Sequence, residues 1–439
     1  MKITVVGGGS TYTPELIEGF ARRADVLPVD ELVLHDTDAE RLAVIGGLSR
    51  RILARHGFPG RLTTTTDLAP AVEGAAAVLV QLRVGGQAAR LVDETLPNWF
   101  GLLGQETTGP GGFAKALRTV PVVLDIADEV RRRAQPGAWI VDFTNPVGIV
   151  TRALLDAGHR AVGLCNVAIK FQRQLAARLG TDPDRVRLGH AGLNHLSWIR
   201  SVTVDGVDRL PELLTGEALD ELAAQVRVPA GALRDLGAIP SYYLHYFYCT
   251  EDEVRTQQAG THRAEQVLAI ERELLTLYAD PALDRKPELL EQRGGAYYSE
   301  AAAALVTSLL TGDGAHHYVN VRNDGVLAGL PDEAVVEVAA DVDTAGPHPV
   351  PVPPLAPEML GLVQAVTAYE TLTVEAALSG DRTVARRALV ANPLVREWEL
   401  ADRLLDALLE ANRHHLPRFF ASEPTEPTDS SEPSEAADA

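Results

Sequence analysis

The stretch MKITVVGGGSTYTPEL, residues 1–16, runs through four β-branched side chains, turns on three successive glycines and meets a proline five residues later. A β-branched apolar run of this length reads as a buried strand. Gly7 and Gly9 let the chain turn tightly and bring its backbone close to a pyrophosphate, with Ser10 and Thr11 beside them, and Pro14 and Glu15 suit the first turn of a helix. Strand, glycine turn and helix in that order open a doubly wound α/β sheet with a dinucleotide at the turn. The third glycine of the usual spacing is missing, because position 12 is Tyr.

Outward from this start the pattern repeats. ELVLHD (31–36), AAVLVQLR (76–83), WIVDFTN (139–145) and RAVGLCN (160–166) are further strand candidates, and residues 15–24, 38–55 and 115–134 carry apolar positions at helical spacing. Asp36 closes the second strand, where a carboxylate accepts from an adenosine ribose and repels a 2′-phosphate, so NAD is expected over NADP. Its separation from Gly7 is long for the motif, which requires a long intervening helix. Residues 1–165 are therefore expected to form an NAD-binding, Rossmann-like domain with a parallel sheet.

Beyond residue 165 the character changes to a mixed α+β lobe, giving a lactate/malate dehydrogenase-like whole. Residues 185–206 read as a strand hairpin and 212–236, 261–278, 297–311, 357–380 and 383–413 as helices, while the proline-rich 343–356 reads as an extended surface connection. This second domain, for substrate, metal and oligomerisation, is expected over 166–421. The tail 422–439, with six acids and no base, is expected to be disordered.

A chain of 439 residues, 46% of them hydrophobic, buries a sizeable core. Its net charge of −20 argues against a nucleic-acid partner. The first residues lack a basic and then long apolar leader, and no long uncharged apolar run follows, so a cytoplasmic protein without a membrane partner is expected. Two cysteines, Cys165 and Cys249, exclude a disulfide framework.

The polar residues just past the later strands are placed where ligands bind in such sheets, which makes Asn145 and Asn166 candidate sugar contacts. Cys165 and His195 form a plausible thiol and imidazole pair for a divalent metal, although each, taken alone, reads first as core.

Taken together, VVGGGSTYTPEL, QLRVGGQAARLVDE (81–94), GLLGQETTGPGGFAKALRTVPV (101–122), DFTNPVGIVT (142–151), GLCNVA (163–168), GLNHLSW (192–198), IPSYYLHYFY (239–248) and the segment 362–395 resemble glycoside hydrolase family 4 over nearly the whole chain, and within it the 6-phospho-β-glucosidases. The resemblance implies that Cys165 and His195 hold a catalytic Mn²⁺ or similar ion, and that Tyr243 is the base, with Tyr242 its competitor. It implies that Glu106 supports that base and that Arg90, Asn145 and Arg263 contact substrate, the arginines suiting a phosphate. A homo-oligomer, dimer or tetramer, is also implied.

The family's cycle takes hydride from sugar C3 to NAD⁺, deprotonates C2, expels the aglycone, adds water at C1 and returns the hydride. This accounts for a dinucleotide fold without a pair of catalytic acids; NAD-dependent members of the family are a recognised exception to the two-carboxylate rule. Asn166, where α-specific relatives often carry Asp, favours β-linked substrates. Ala168 and His245 depart from the family's Pro and basic residue, which leaves open a relative acting on an unphosphorylated, α-linked or uronic sugar. A 2-hydroxyacid dehydrogenase of the same fold superfamily is the rival of another class.

Overall fold

The computed structural model describes residues 1–294 and 297–421, so the acidic tail lies outside the described residues. Six parallel strands, β1 (Lys2–Val6), β2 (Glu31–His35), β3 (Arg61–Thr65), β4 (Ala77–Val80), β5 (Trp139–Asp142) and β6 (Ala161–Leu164), stand in the spatial order β3-β2-β1-β4-β5-β6. Strands covered on both faces should be apolar throughout, and Ala77, Val78, Leu79 and Val80 of β4 are all buried to 1% exposure or less. Each such Val or Leu contributes roughly 1.5–3 kcal/mol. The order in which successive strands are laid down reverses at β1, between β2 and β4, which opens a crevice past the carboxyl ends of β1 and β4.

The sheet does not stop at residue 165. The second lobe supplies β7 (Val186–Leu193), β8 (Leu196–Val204), β9 (Val207–Asp208), β10 (Ile239–Pro240), β11 (Ala315–Arg322), β12 (Val335–Asp343) and β13 (Gly346–Pro349). Here β11 pairs antiparallel with β6, and the ladder continues through β12, β7, β8 and β10. Helix Gly109–Arg133 packs against helices Val147–Asp156 and Pro357–Ser379, and helix Thr13–Ala21 packs on Ala39–Arg55 and Tyr298–Thr311, so both lobes contribute to a common apolar core, while Phe171, Leu188, Leu222 and Ile239 belong to a second cluster. No helix among the described residues is long and apolar enough to cross a membrane.

Several local expectations shift. Segment 212–236 divides into helices Leu210–Leu213, Gly216–Val226 and Ala230–Leu236, broken where Arg227 takes φ 59° and Pro229 lacks an amide hydrogen. Segment 383–413 divides at Pro393 into Arg382–Ala391 and Trp398–Ala411. The proline-rich segment contributes the edge strand β13, and residues 350–356 carry no regular structure. Strands β3, β11 and β12 and helix Gly86–Trp99 lie outside the expectations above; β3 is a threonine run at the sheet edge, with little apolar signal.

Candidate active site

The glycine turn sits where the opening stretch placed it. Gly7 takes φ +88°, and a Cβ there would lie 2.3 Å from the Gln81 carbonyl oxygen, so only glycine fits. The Asp36 carboxylate accepts from the Gly9 amide at 2.8 Å and from the Asp38 amide at 3.1 Å. Asp36 thereby fixes the turn. Ser10 Oγ accepts from the Tyr12 amide at 3.2 Å. Thr11 is fully buried, with its hydroxyl 3.4 Å from Glu271. Side-chain-free backbone after β1 and a carboxylate after β2 suit an adenosine diphosphate and ribose.

Past β4 and the helices that follow, charge gathers on Glu106. Arg83 hydrogen-bonds Glu106, Lys115 Nζ lies 2.7 Å from it and Arg90 lies 3.2 Å from it. Burial opposes ionisation of Glu106, but Arg83, Lys115 and Arg90 outweigh it and hold the carboxyl well below its ordinary range. Arg90 also pairs with Glu94 at 2.8 Å. The loop that carries Glu106 is seated by Gly112 in the first turn of helix Gly109–Arg133, where a Cβ would come within 2.5 Å of the Thr107 carbonyl carbon.

Next to this cluster lie the carboxyl ends of β5 and β6. Asn145 Oδ1 is buried without a hydrogen-bond partner among the described residues, as a ligand contact would be before its ligand binds. Cys165 precedes helix Val167–Arg178, whose N-cap is Asn166, and the amides of Val167 and Asn166 point at its sulfur. Burial pushes the thiol up and Glu337 pushes it further, while those amides and the Asn194 side chain pull it back.

His195 occupies the two-residue turn joining β7 to β8 at φ 62°, a conformation that costs a non-glycine residue roughly 1–2 kcal/mol. Thr107 gives its one hydroxyl proton to Gln105 at 2.8 Å, so its oxygen, 3.1 Å from His195 Nδ1, accepts from that nitrogen. The network thus assigns the proton to Nδ1 and leaves the Nε2 lone pair for a metal. Burial, chiefly, lowers His195 to about 4, which keeps the imidazole neutral.

Tyr243 stacks on His195, whereas the Tyr242 hydroxyl is engaged with Gln174 and Gln225 and its ring with Phe171. Burial raises the Tyr243 phenol well above its usual value, and the negative forms of Cys165, Tyr246 and Glu106 add to this, Arg90 opposing. No group of three or more His, Cys, Asp or Glu side chains is placed to hold an ion among the described residues. A thiol at a helix N-terminus and a neutral imidazole nevertheless fit a borderline divalent cation whose other positions are filled by substrate or water.

Arg263 donates to Gln266 at 3.1 Å and to the Gln292 and Arg293 carbonyls at 2.7 and 3.1 Å. Burial lowers its guanidinium, and the like charge of the nearby Arg90 lowers it next. Two guanidiniums that repel in this way gain from an anion between them. Arg83, Lys115, Thr107, Asn194 and Glu337 were not legible as site residues from sequence. Arg83 alone carried a usable signal, standing just past a strand end as Asn145 does.

Residues 2–181 match "Family 4 glycosyl hydrolase" and residues 190–395 match "Family 4 glycosyl hydrolase C-terminal domain". A probable 6-phospho-beta-glucosidase of Bacillus subtilis is 41% identical, over 96% of this chain and 98% of its own. The 6-phospho-beta-glucosidase of Thermotoga maritima, solved with manganese, NAD⁺ and glucose-6-phosphate, superposes with a TM-score of 0.86 at 34% identity, covering 94% of this chain and 99% of its own. Malate dehydrogenase from Salinibacter ruber, 16% identical with a TM-score of 0.52 over 86% of this chain and 96% of its own, shares the fold alone. The chain belongs to family 4 of the glycosyl hydrolases.

Proposed function

We propose that the protein is an NAD- and divalent-metal-dependent 6-phospho-β-glucosidase, with Mn²⁺ the favoured ion. The observation that carries this reading is the convergence of Cys165, His195, Tyr243 and Glu106 beside a basic cluster, past the strand ends that follow the glycine turn. It is supported by the relative that binds manganese, NAD⁺ and glucose-6-phosphate.

Gly7, Gly9, Ser10, Thr11 and Asp36 would hold the dinucleotide, and Cys165 with His195 Nε2 the metal. When bound, the nicotinamide supplies a reversible hydride acceptor for sugar C3 and the metal a Lewis acid at the adjoining oxygens. With C3 at the ketone level, the C2 proton becomes acidic. Tyr243 then takes that proton, the bond from C1 to the aglycone breaks, water adds at C1, and C3 is reduced again, so no net redox occurs. A phenol of ordinary pKa about 10 cannot deprotonate an unactivated C–H, which is why the oxidation has to come first.

Glu106, ionised by its three cations, adds negative potential that strengthens Tyr243 as a base. Arg90 and Arg263 receive the 6-phosphate, and Asn145 and Asn166 orient the sugar. Asn166 in place of an acid fits a β-linked leaving group. A charged sugar phosphate does not cross membranes, so the enzyme acts in the cytoplasm, and a homo-oligomer belongs to the same reading.

The test is hydrolysis of p-nitrophenyl β-glucoside with and without a 6-phosphate, in NAD⁺, Mn²⁺ and reductant. Turnover confined to the phosphorylated substrate and silenced by EDTA is expected. Equal turnover of both substrates rejects the phosphate, full activity after chelation rejects the metal, and stoichiometric NADH at 340 nm identifies a dehydrogenase instead.

A further inference from the structure

Beneath the site, in the middle of β12, stands an acid that the reaction does not touch. Glu337 is 2% exposed, and in register it faces Asn320 of β11 on one side and Gly192 of β7 on the other. Its Oε1 lies 2.7 Å from His190 Nε2, and its Oε2 accepts from Asn194 Nδ2 at 2.9 Å and Asn320 Nδ2 at 3.2 Å. A carboxylate in a strand interior this dry is costly unless something requires it.

What surrounds Glu337 explains its place. Asn194 is the residue before His195, and its side-chain amide also lies beside the Cys165 thiol, favouring the thiolate. Asn194 thus stands between Glu337 and the Cys165 thiol through its side chain and is joined to His195 through its backbone. A divalent cation held by one thiolate and one neutral imidazole keeps one positive charge uncompensated in a buried site. Glu337 is a buried source of a second negative charge, one hydrogen bond of 2.9 Å from Asn194.

We infer that Glu337, linked through Asn194, is a positioning residue of the metal centre, supplying the buried negative charge that completes neutralisation of a divalent cation and fixing the Cys165 thiolate and the His195 turn to receive it. The inference rests on the reading of Cys165 and His195 as the ligands. His190 Nε2 and the side-chain amides of Asn194 and Asn320 converge on the two oxygens of Glu337, a donor set that suits an ionised carboxylate. Partners of this kind typically change metal affinity 10–100-fold when removed.

Titration of the full-length, metal-free protein with Co²⁺, followed by its thiolate-to-metal charge-transfer absorption, tests this without reference to turnover. Glu337→Gln is expected to weaken Co²⁺ and Mn²⁺ binding by about 10–100-fold and shift the charge-transfer band, with NAD⁺ affinity unchanged, while Glu337→Asp recovers part of the loss. Wild-type metal affinity in Glu337→Gln, with only the melting temperature altered, overturns the role. If Glu337→Gln does not fold, Asn194→Ala cuts the same link and leaves Glu337 its His190 partner; wild-type metal affinity there is equally fatal. Co²⁺ binding that survives Cys165→Ser overturns the ligand reading itself. Binding lost in Cys165→Ser but untouched in Glu337→Gln overturns the role of Glu337 alone.

Discussion

The imidazole of His195 lies flat against the phenol ring of Tyr243, ring centres 3.6 Å apart and planes 12° from parallel. This stack sets the residue read as a metal ligand directly beside the residue read as a base. Tyr242, next in the chain, points to the other side of the same short 3-10 turn.

The two tyrosines should therefore separate in kinetics. Tyr243→Phe is expected to lower kcat by about 100-fold or more, in line with the loss of a general base, with NAD⁺ affinity retained. Tyr242→Phe, which loses only bonds to Gln174 and Gln225, should stay within about threefold. The reverse order of effects would move the base to Tyr242.

Asp36 both shapes the glycine turn and, on this account, meets the adenosine ribose. Removing hydrogen bonds to a charged group costs about 1.5–3 kcal/mol. Asp36→Ala is expected to raise the apparent NAD⁺ constant at least about tenfold and to narrow its advantage over NADP⁺. An unchanged NAD⁺ constant in equilibrium fluorescence titration would separate Asp36 from the cofactor.

Gly112 holds the Glu106 loop against a helix. An alanine methyl within 2.5 Å of the Thr107 backbone must push that loop outward, removing the Thr107 bond that orients His195. Gly112→Ala should cost about 1–3 kcal/mol in stability and at least about tenfold in kcat/KM. Full activity with an unchanged melting temperature would show that the loop does not need this seat.

Glu370, in helix Pro357–Ser379, is buried, and that burial raises its carboxyl to about 8, Arg152 pulling back only in part. A folded-state value above the unfolded one means that the stabilising, protonated state is complete below about pH 4.3 and is lost as pH rises towards 8. Glu370→Gln cannot ionise, so its melting temperature relative to wild type should improve from pH 5 to pH 8. A constant difference across that range would refute the assignment. Asp142, also raised to about 8 by burial, leaves a residual slope of the same sign.

How much of this was legible in the sequence follows from the range of the interactions. Strands β1, β2, β4, β5 and β6 are apolar because both faces are covered, and Gly7 and Asp36 sit at their ends, so that half declares itself locally. Cys165, His195 and Tyr243 meet only because β6, the β7–β8 turn and a 3-10 turn are brought together by long-range pairing. Without the family resemblance each reads as core. Lys115 looked like one polar position of an amphipathic helix, since nothing local shows that Glu106 folds back onto it. Glu337 was a lone acid in an apolar run, and the partners that tie it to the site, Asn194 and His190, are 143 and 147 residues away.

The central claim is that bond cleavage proceeds through loss of the C2 proton rather than through paired acids. The most direct measurement is hydrolysis of p-nitrophenyl β-glucoside 6-phosphate in D₂O with NAD⁺ and Mn²⁺, followed by NMR of the glucose 6-phosphate released. The account predicts deuterium at C2, without NADH accumulation. Turnover that returns product with only hydrogen at C2 would contradict it.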